Sequence, residues 1–192
     1  MASWLGPRVS SLPLDVLDFG CGIGNSIPHL RDAFPAARLH GTDPSGESIR
    51  LASDTRPDAM FMINTDEAMP YPDSNFDLVQ VACVFHHILP RDRLHWMREI
   101  HRVLRPGGHA FIFEHNVLNP LTVNSVKKSP VDVDAILLPK HELFDLVRSA
   151  AFKHIGARYI VFFPRMLSLF RPLEPFMGWI PFGAQYVVHA TA

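Results

Sequence analysis

The stretch "VLDFGCGIGN", Val16 to Asn25, decides the fold. An apolar run carries Asp18 at its end, and three glycines follow at every second position, Gly20, Gly22 and Gly24. The run 14–19 predicts a buried strand. A helix is predicted over 25–34, and Pro28 is tolerable there because it falls in the first turn. Strand, bare turn and helix N-terminus together form a ligand cradle. Glycine permits positive φ and removes the Cβ that would block a ligand. The spacing G-x-G-x-G differs from the dinucleotide fingerprint G-x-G-x-x-G, which seats a pyrophosphate on helix amides. The shorter spacing lets an uncharged nucleoside tail lie across the turn. Asp43 closes the next strand and can accept both ribose hydroxyls of such a nucleoside. Asp18 would face the cationic end of a zwitterionic ligand.

Outward from this turn the chain alternates. Strands are predicted over 37–43, 59–64, 76–85 and 109–115, and helices over 45–53 and 90–104. Leu94, Met97, Ile100, Val103 and Leu104 share one face of the second of these helices. "RPGG" (105–108) is predicted to stop that helix. Alternation implies parallel pairing and a doubly wound α/β sheet, which binds ligands beyond the carboxyl ends of its strands. After residue 116 the pattern weakens to a long loop or weak helix. A helix over 139–150 and strands over 154–163 and 183–190 follow.

The 192 residues suit one domain, 1–192, with a cofactor-binding half at 14–115 and an acceptor-side half at 116–192. Apolar residues make up 47% and charged residues 19%, a globular composition. The net charge of −1 supplies no basic field, so nucleic acid is not an expected partner. Cys21 and Cys83 lack metal-ligand spacing and read as buried free thiols in a reducing cytosol. "MASWLGPRVSSLP" lacks the pattern of a signal peptide, and no long apolar run predicts a membrane span. A cytoplasmic protein is expected, with a membrane-peripheral one as the variant.

"VLDFGCGIGN", Asp43, "AMPYPDSNFDLV", "FHHI" and "REIHRVLRPGG", in this order, resemble the class I S-adenosylmethionine-dependent methyltransferases, closest to their small-molecule (type 11-like) branch. The resemblance implies a Rossmann-like sheet of seven mostly parallel strands, order 3-2-1-4-5-7-6, with an antiparallel last strand. It implies S-adenosylmethionine as cofactor. Asp18, Gly20, Cys21, Gly22 and Gly24 would line its methionine part, and Asp43 would hold the ribose. Pro44, Ser45, Thr65, Asp66 and Glu67 would lie near adenine, and Val84 and Phe85 under the cofactor. Family members carry a helical segment before the first strand. Only about 13 residues precede it here, so either the tail supplies the lid or the cofactor binds weakly.

Methyl transfer from a sulfonium needs alignment above all, and a base only when the acceptor must lose a proton. His87, His115 and Glu114 are the catalytic candidates at the carboxyl ends of the fourth and fifth strands, with His86 behind them. No metal is expected, because adjacent His86 and His87 point apart if the chain is extended. The tail ("EHNVLNPLT", "VDVDAILL", "FGAQYVVHA") is similar to a methyltransferase subgroup associated with polysaccharide assembly. That makes Asn116, Asn119, Asp132 and Tyr186 acceptor-pocket candidates and a small-molecule or glycan-type acceptor the expectation, methylated at oxygen. A cofactor-binding module without turnover and an NAD(P)-dependent oxidoreductase are the alternatives. The apolar stretch 164–182 reads as a cap over the acceptor pocket, as a segment touching membrane, or as a dimer contact or extra core. Its four prolines argue against one long helix.

Overall fold

In the computed structural model, which describes residues 1–6 and 11–192, the apolar run before the glycines is the centre of a sheet. The strands are β1 (Asp15–Phe19), β2 (Arg38–Asp43), β3 (Ala59–Ile63), β4 (Phe76–Ala82), β5 (Leu104–His115), β6 (Lys153–Ile160) and β7 (Gln185–Thr191). Their order is β3-β2-β1-β4-β5-β7-β6. The first five pair in parallel, and β7 runs antiparallel to both β5 and β6. The predicted Rossmann-like sheet and strand order are therefore observed. Residues 7–10, part of the stretch read above for a signal peptide, lie outside the described residues.

Side chains alternate across the pleat, so β1 feeds two cores. Val16 packs with Ile27 and Leu30 of α2 (Ile27–Ala33) and with Phe34 just after it on one face. On the other, Leu17 and Phe19 join Met97, Ile100 and Val103 of α4 (Pro90–Val103) and Leu143 and Val147 of α6 (Lys140–Ser149). Trp4 of α1 (Ala2–Leu5) packs edge-on against Phe111 and His189, on the α2 face. α3 (Gly46–Thr55) begins at Ser45, whose hydroxyl accepts the Ser48 N–H at 3.2 Å.

Three local expectations change. "RPGG" does not separate helix from strand, because β5 already starts at Leu104. Gly107, at φ +79°, bends the strand where its register with β4 shifts. The weak region after residue 116 contains α5 (Pro120–Lys128), and Asn119 Oδ1 caps it by accepting from the Leu121 and Thr122 N–H groups. The stretch 164–182 forms 3₁₀ turns over Arg165–Leu173 and a short α7 (Glu174–Met177) along the edge of β6. Glu174 accepts the N–H groups of Phe162 and Phe163, and Tyr159 N–H donates to Gly178 O. The extra-core reading fails here. Met166 is 94% exposed and Trp179 79%, because a proline-broken chain presents no continuous apolar face. No helix among the described residues is long and apolar enough to cross a membrane.

Candidate active site

The glycine turn leaves β1 and is tied at once to its neighbours. Gly20 and Cys21 N–H groups donate to Thr42 O at 2.8 and 3.0 Å, and Gly22 N–H donates to Asp43 Oδ2 at 2.9 Å. Gly20, Gly22 and Gly24 take φ of +72°, +51° and +79°. Each glycine has a different reason to lack a side chain. A Cβ on Gly20 would overlap Val84. One on Gly24 would press on Arg56 Cγ at 3.2 Å, on the side of α3. One on Gly22 would meet nothing within 4 Å.

This turn borders a cleft of about 600 Å³ at the carboxyl ends of β1 to β4. Of the predicted residues, Gly20, Asp43, Pro44, Asp66, Val84 and His87 line it. Cys21 turns its buried sulfur inward, and burial pushes its thiol pKa up. Thr65 Oγ1 accepts the Glu67 and Ala68 N–H groups and so shapes the loop, while Glu67 lends its backbone oxygen to His95. Several lining residues escaped the sequence reading. Asn64 follows β3, and Asp92, His95 and Trp96 of α4 line the cleft with Phe19. The spacing of 92, 95 and 96 on one helix turn was the available signal.

Asp18 lies beneath the turn, 1% exposed. Gln80 Nε2 donates to its Oδ1 at 3.1 Å, and its Oδ2 has no hydrogen-bond partner. Burial raises its pKa to about 7, against the pull of hydrogen bonds from Gln80 and Ser26. Asp43 spends one lone pair of each oxygen on the Gly22 and Ser45 N–H groups, both at 2.9 Å. A carboxylate has about four acceptor sites, so it can still accept from a ligand.

At the ends of β4 and β5 the chain builds a row of imidazoles. Val84 to Ile88 is not extended, because Phe85–His87 forms a 3₁₀ turn. This overturns the premise that His86 and His87 point apart. Their ring centroids are 4.2 Å apart, and His115 lies 4.9 Å from His86 on the other side. Glu114 is fully buried. It accepts the Phe85 N–H and binds His86 Nδ1, both at 2.7 Å. It reaches neither cavity, so its part is to position His86 rather than to touch an acceptor. Asp132 Oδ1 lies 3.4 Å from the Nε2 atoms of both His86 and His87.

A second cavity, about 470 Å³, opens beyond this row. Its wall includes His115, Asn119, Thr122, Asp132, Phe162 and Gln185. Two predicted acceptor residues are not on it. Asn116 donates to Pro181 O and Gly183 O and accepts from Leu118 N–H, and Tyr186 donates to Leu138 O. Both are spent on holding the backbone. Burial lowers the pKa of His87 and His115, with the His86 charge adding to each. Burial also opposes protonation of His86, but Glu114 and Asp132 outweigh it and leave its pKa raised. Cys83, at φ +59°, sits where β4 meets the cleft, and burial pushes its thiol up to about 12.

A glycine turn over a buried acid, an acidic residue ending β2 and a cleft above the carboxyl ends define a nucleoside-binding α/β domain. Residues 17–112, half of the chain, match the family described as "Methyltransferase domain", and the chain belongs to it. It is 32% identical over 99 residues to the demethylmenaquinone methyltransferase of Chlorobaculum tepidum, covering 52% of this chain and 40% of that one. It spans about two fifths of the length of that relative. An Archaeoglobus fulgidus SAM-dependent methyltransferase superposes with TM-score 0.72 at 14% identity, covering 93% of this chain and 86% of the other. Haemonchus contortus phosphoethanolamine N-methyltransferase 2, solved with S-adenosyl-L-methionine, superposes with TM-score 0.66 at 16% identity, covering 94% and 49%. The cofactor is S-adenosylmethionine, and two features of the cleft fit it. One Asp18 oxygen is buried without a hydrogen-bond partner, and a side chain on Gly22 would project into open space beside the turn. Nothing supports the nicotinamide reading.

Proposed function

We propose that the protein methylates a hydroxyl oxygen of a small molecule seated in the second cavity. The observation that carries this is the imidazole row, which runs from the cofactor cleft at His87 to the second cavity at His115. In this reading Asp18 receives the ammonium of the cofactor's methionine end and Asp43 its ribose hydroxyls. Pro44, Asn64 and Asp66 border the adenine, and Val84 supports it from below. Gly24, Cys21, Thr65 and Glu67 shape the walls.

When bound, the cofactor supplies a methyl group already activated on sulfonium, so alignment is the main task left to the protein. A hydroxyl acceptor must also lose a proton. An imidazole can take it only when neutral, and burial keeps His115 in that state at pH 7. His115 is the proton acceptor in this reading, and His86 and Glu114 hold its surroundings in place. Leu121, Val126, Val161 and Phe162 stand among the polar groups of the cavity wall. That mixture suits an amphipathic hydroxyl compound better than a bare glycan.

The test is calorimetric titration with S-adenosylmethionine, S-adenosylhomocysteine and NADH in parallel, followed by a screen of hydroxyl compounds for release of S-adenosylhomocysteine. The expected result is binding of the first two ligands alone and turnover with an alcohol or phenol. Binding of NADH, or of none of the three, would overturn the reading. Turnover confined to amines would overturn its oxygen part.

A further inference from the structure

The trio His86, His87 and Asp132 gathers three donor atoms at distances longer than a close charge-assisted hydrogen bond. Both Asp132 contacts are 3.4 Å. Charge-assisted hydrogen bonds close to about 2.7–2.9 Å. Ligands at roughly 2.0–2.2 Å around a tetrahedral zinc ion stand about 3.4 Å from one another. One donor atom from each of the three residues lies within 4.8 Å of the others. We propose that His86 Nε2, His87 Nε2 and Asp132 Oδ1 hold a divalent transition-metal ion of the zinc class.

The surroundings are built as metal sites are built. Glu114 takes the Nδ1 side of His86 at 2.7 Å, which leaves the Nε2 lone pair facing Asp132. A carboxylate behind a histidine is the usual support for a metal ligand. Glu114 is itself fixed by the Phe85 N–H at 2.7 Å. Glu114 and Asp132 bring two negative charges together, with His86 and Glu114 almost wholly buried. The Arg93 guanidinium is spent on the backbone oxygens of Phe85, Ile88 and Ile136.

Three protein ligands leave a fourth position, as catalytic sites do. His87 lines the cofactor cleft and Asp132 the second cavity, so that position lies where donor and acceptor would meet. This last step rests on the methyl-transfer reading. A hydroxyl bound to the ion would give up its proton more readily, to His115.

The experiment is titration of tag-free, chelator-treated full-length protein with Co²⁺ and then Zn²⁺, by calorimetry and by the visible bands of bound cobalt. Asp132→Asn and His87→Gln serve as variants, since both side chains reach a cavity and are the safer substitutions. The expected result is one tight equivalent in the wild type, with each variant at least about tenfold weaker. S-adenosylhomocysteine affinity and melting temperature are followed in the same samples. Absence of cobalt bands, or equal affinity in wild type and both variants, would overturn the site. Metal binding without S-adenosylhomocysteine binding would uphold the site and sink the cofactor reading. S-adenosylhomocysteine binding without metal would sink the metal site alone.

Discussion

Asp18 offers the sharpest test, because one carboxyl links stability and binding with opposite signs. A carboxyl that faces an ammonium must be ionised, yet burial holds this one near pKa 7. Below that pH the ligand must drive off a proton in order to bind. If only the ionised form binds, the apparent dissociation constant should be about eightfold larger at pH 6.0 than at pH 7.5, on the order of 1 kcal/mol. In the ligand-free protein the sign is the other way. The folded pKa lies above the unfolded value of 3.8, so this group's stability contribution is complete below 3.8 and is lost as pH rises through 7. A gap of about three units amounts to roughly 4 kcal/mol. Asp18→Asn should therefore be more stable than wild type at pH 8 while binding the cofactor more weakly. The assay is calorimetry with S-adenosylhomocysteine between pH 5.5 and 7.5, alongside denaturant melts of both proteins without ligand. A flat wild-type affinity over this window, or an equal slope in Asp18→Asn, would refute the reasoning.

Other outcomes follow from the same geometry. Gly22→Val places a branched side chain in open space at φ +51° and should weaken S-adenosylhomocysteine binding on the order of a hundredfold, read by calorimetry on folded protein. Arg102 donates to Glu99, Asp73 and the backbone oxygens of Tyr71 and Met69, and so pins the loop after β3. Arg102→Ala should cost about 2 kcal/mol, seen as a melting temperature lower by roughly 4–8 °C. His115→Gln should slow turnover about 10²-fold or more while leaving cofactor affinity within twofold, by steady-state kinetics and calorimetry. Equal loss of both would make His115 structural.

The first half of the chain was legible because backbone requirements leave marks on sequence. Only glycine fits where Gly20 meets Val84 at φ +72°, and only a run like 14–19 can lie between two cores. The motif "RVLRPGG" likewise records an arginine that ties a distant loop and a glycine that bends β5. The second half was harder. α5 starts at an asparagine cap followed by Pro120, a signal that a reading by apolar periodicity overlooks. The roles of Glu114 and Asn116 could not be told from their residue types. What decides them is whether their polar atoms are already satisfied, and that depends on partners 28 to 67 residues away. The two adjacent histidines were misjudged for a local reason. A 3₁₀ turn of one residue triplet reverses which way neighbouring side chains face.

The strand order explains why the reactive groups gather where they do. Parallel pairing of β4 with β5 aligns Ala82, the end of β4, with Phe113, so Glu114 and His115 of β5 reach just past the end of β4. His86 and His87 follow the first, and Glu114 and His115 close the second. The cleft lies on the β1 and β4 side of this junction, and the second cavity lies on the β5 and β7 side, where Gln185 begins β7. In the proposed reading, a donor on one side and an acceptor on the other would meet across the imidazole row. Glu114 has no solvent contact and holds both the 3₁₀ turn and the His86 ring. Moving it would shift the whole row while leaving the glycine turn untouched. Glu114→Gln keeps the size of the side chain and can still accept one N–H. It should therefore spare S-adenosylhomocysteine binding, slow transfer, and loosen any metal bound by His86. Loss of cofactor affinity in that variant would mean that the two halves of the site are not mechanically separate, contrary to what the topology implies.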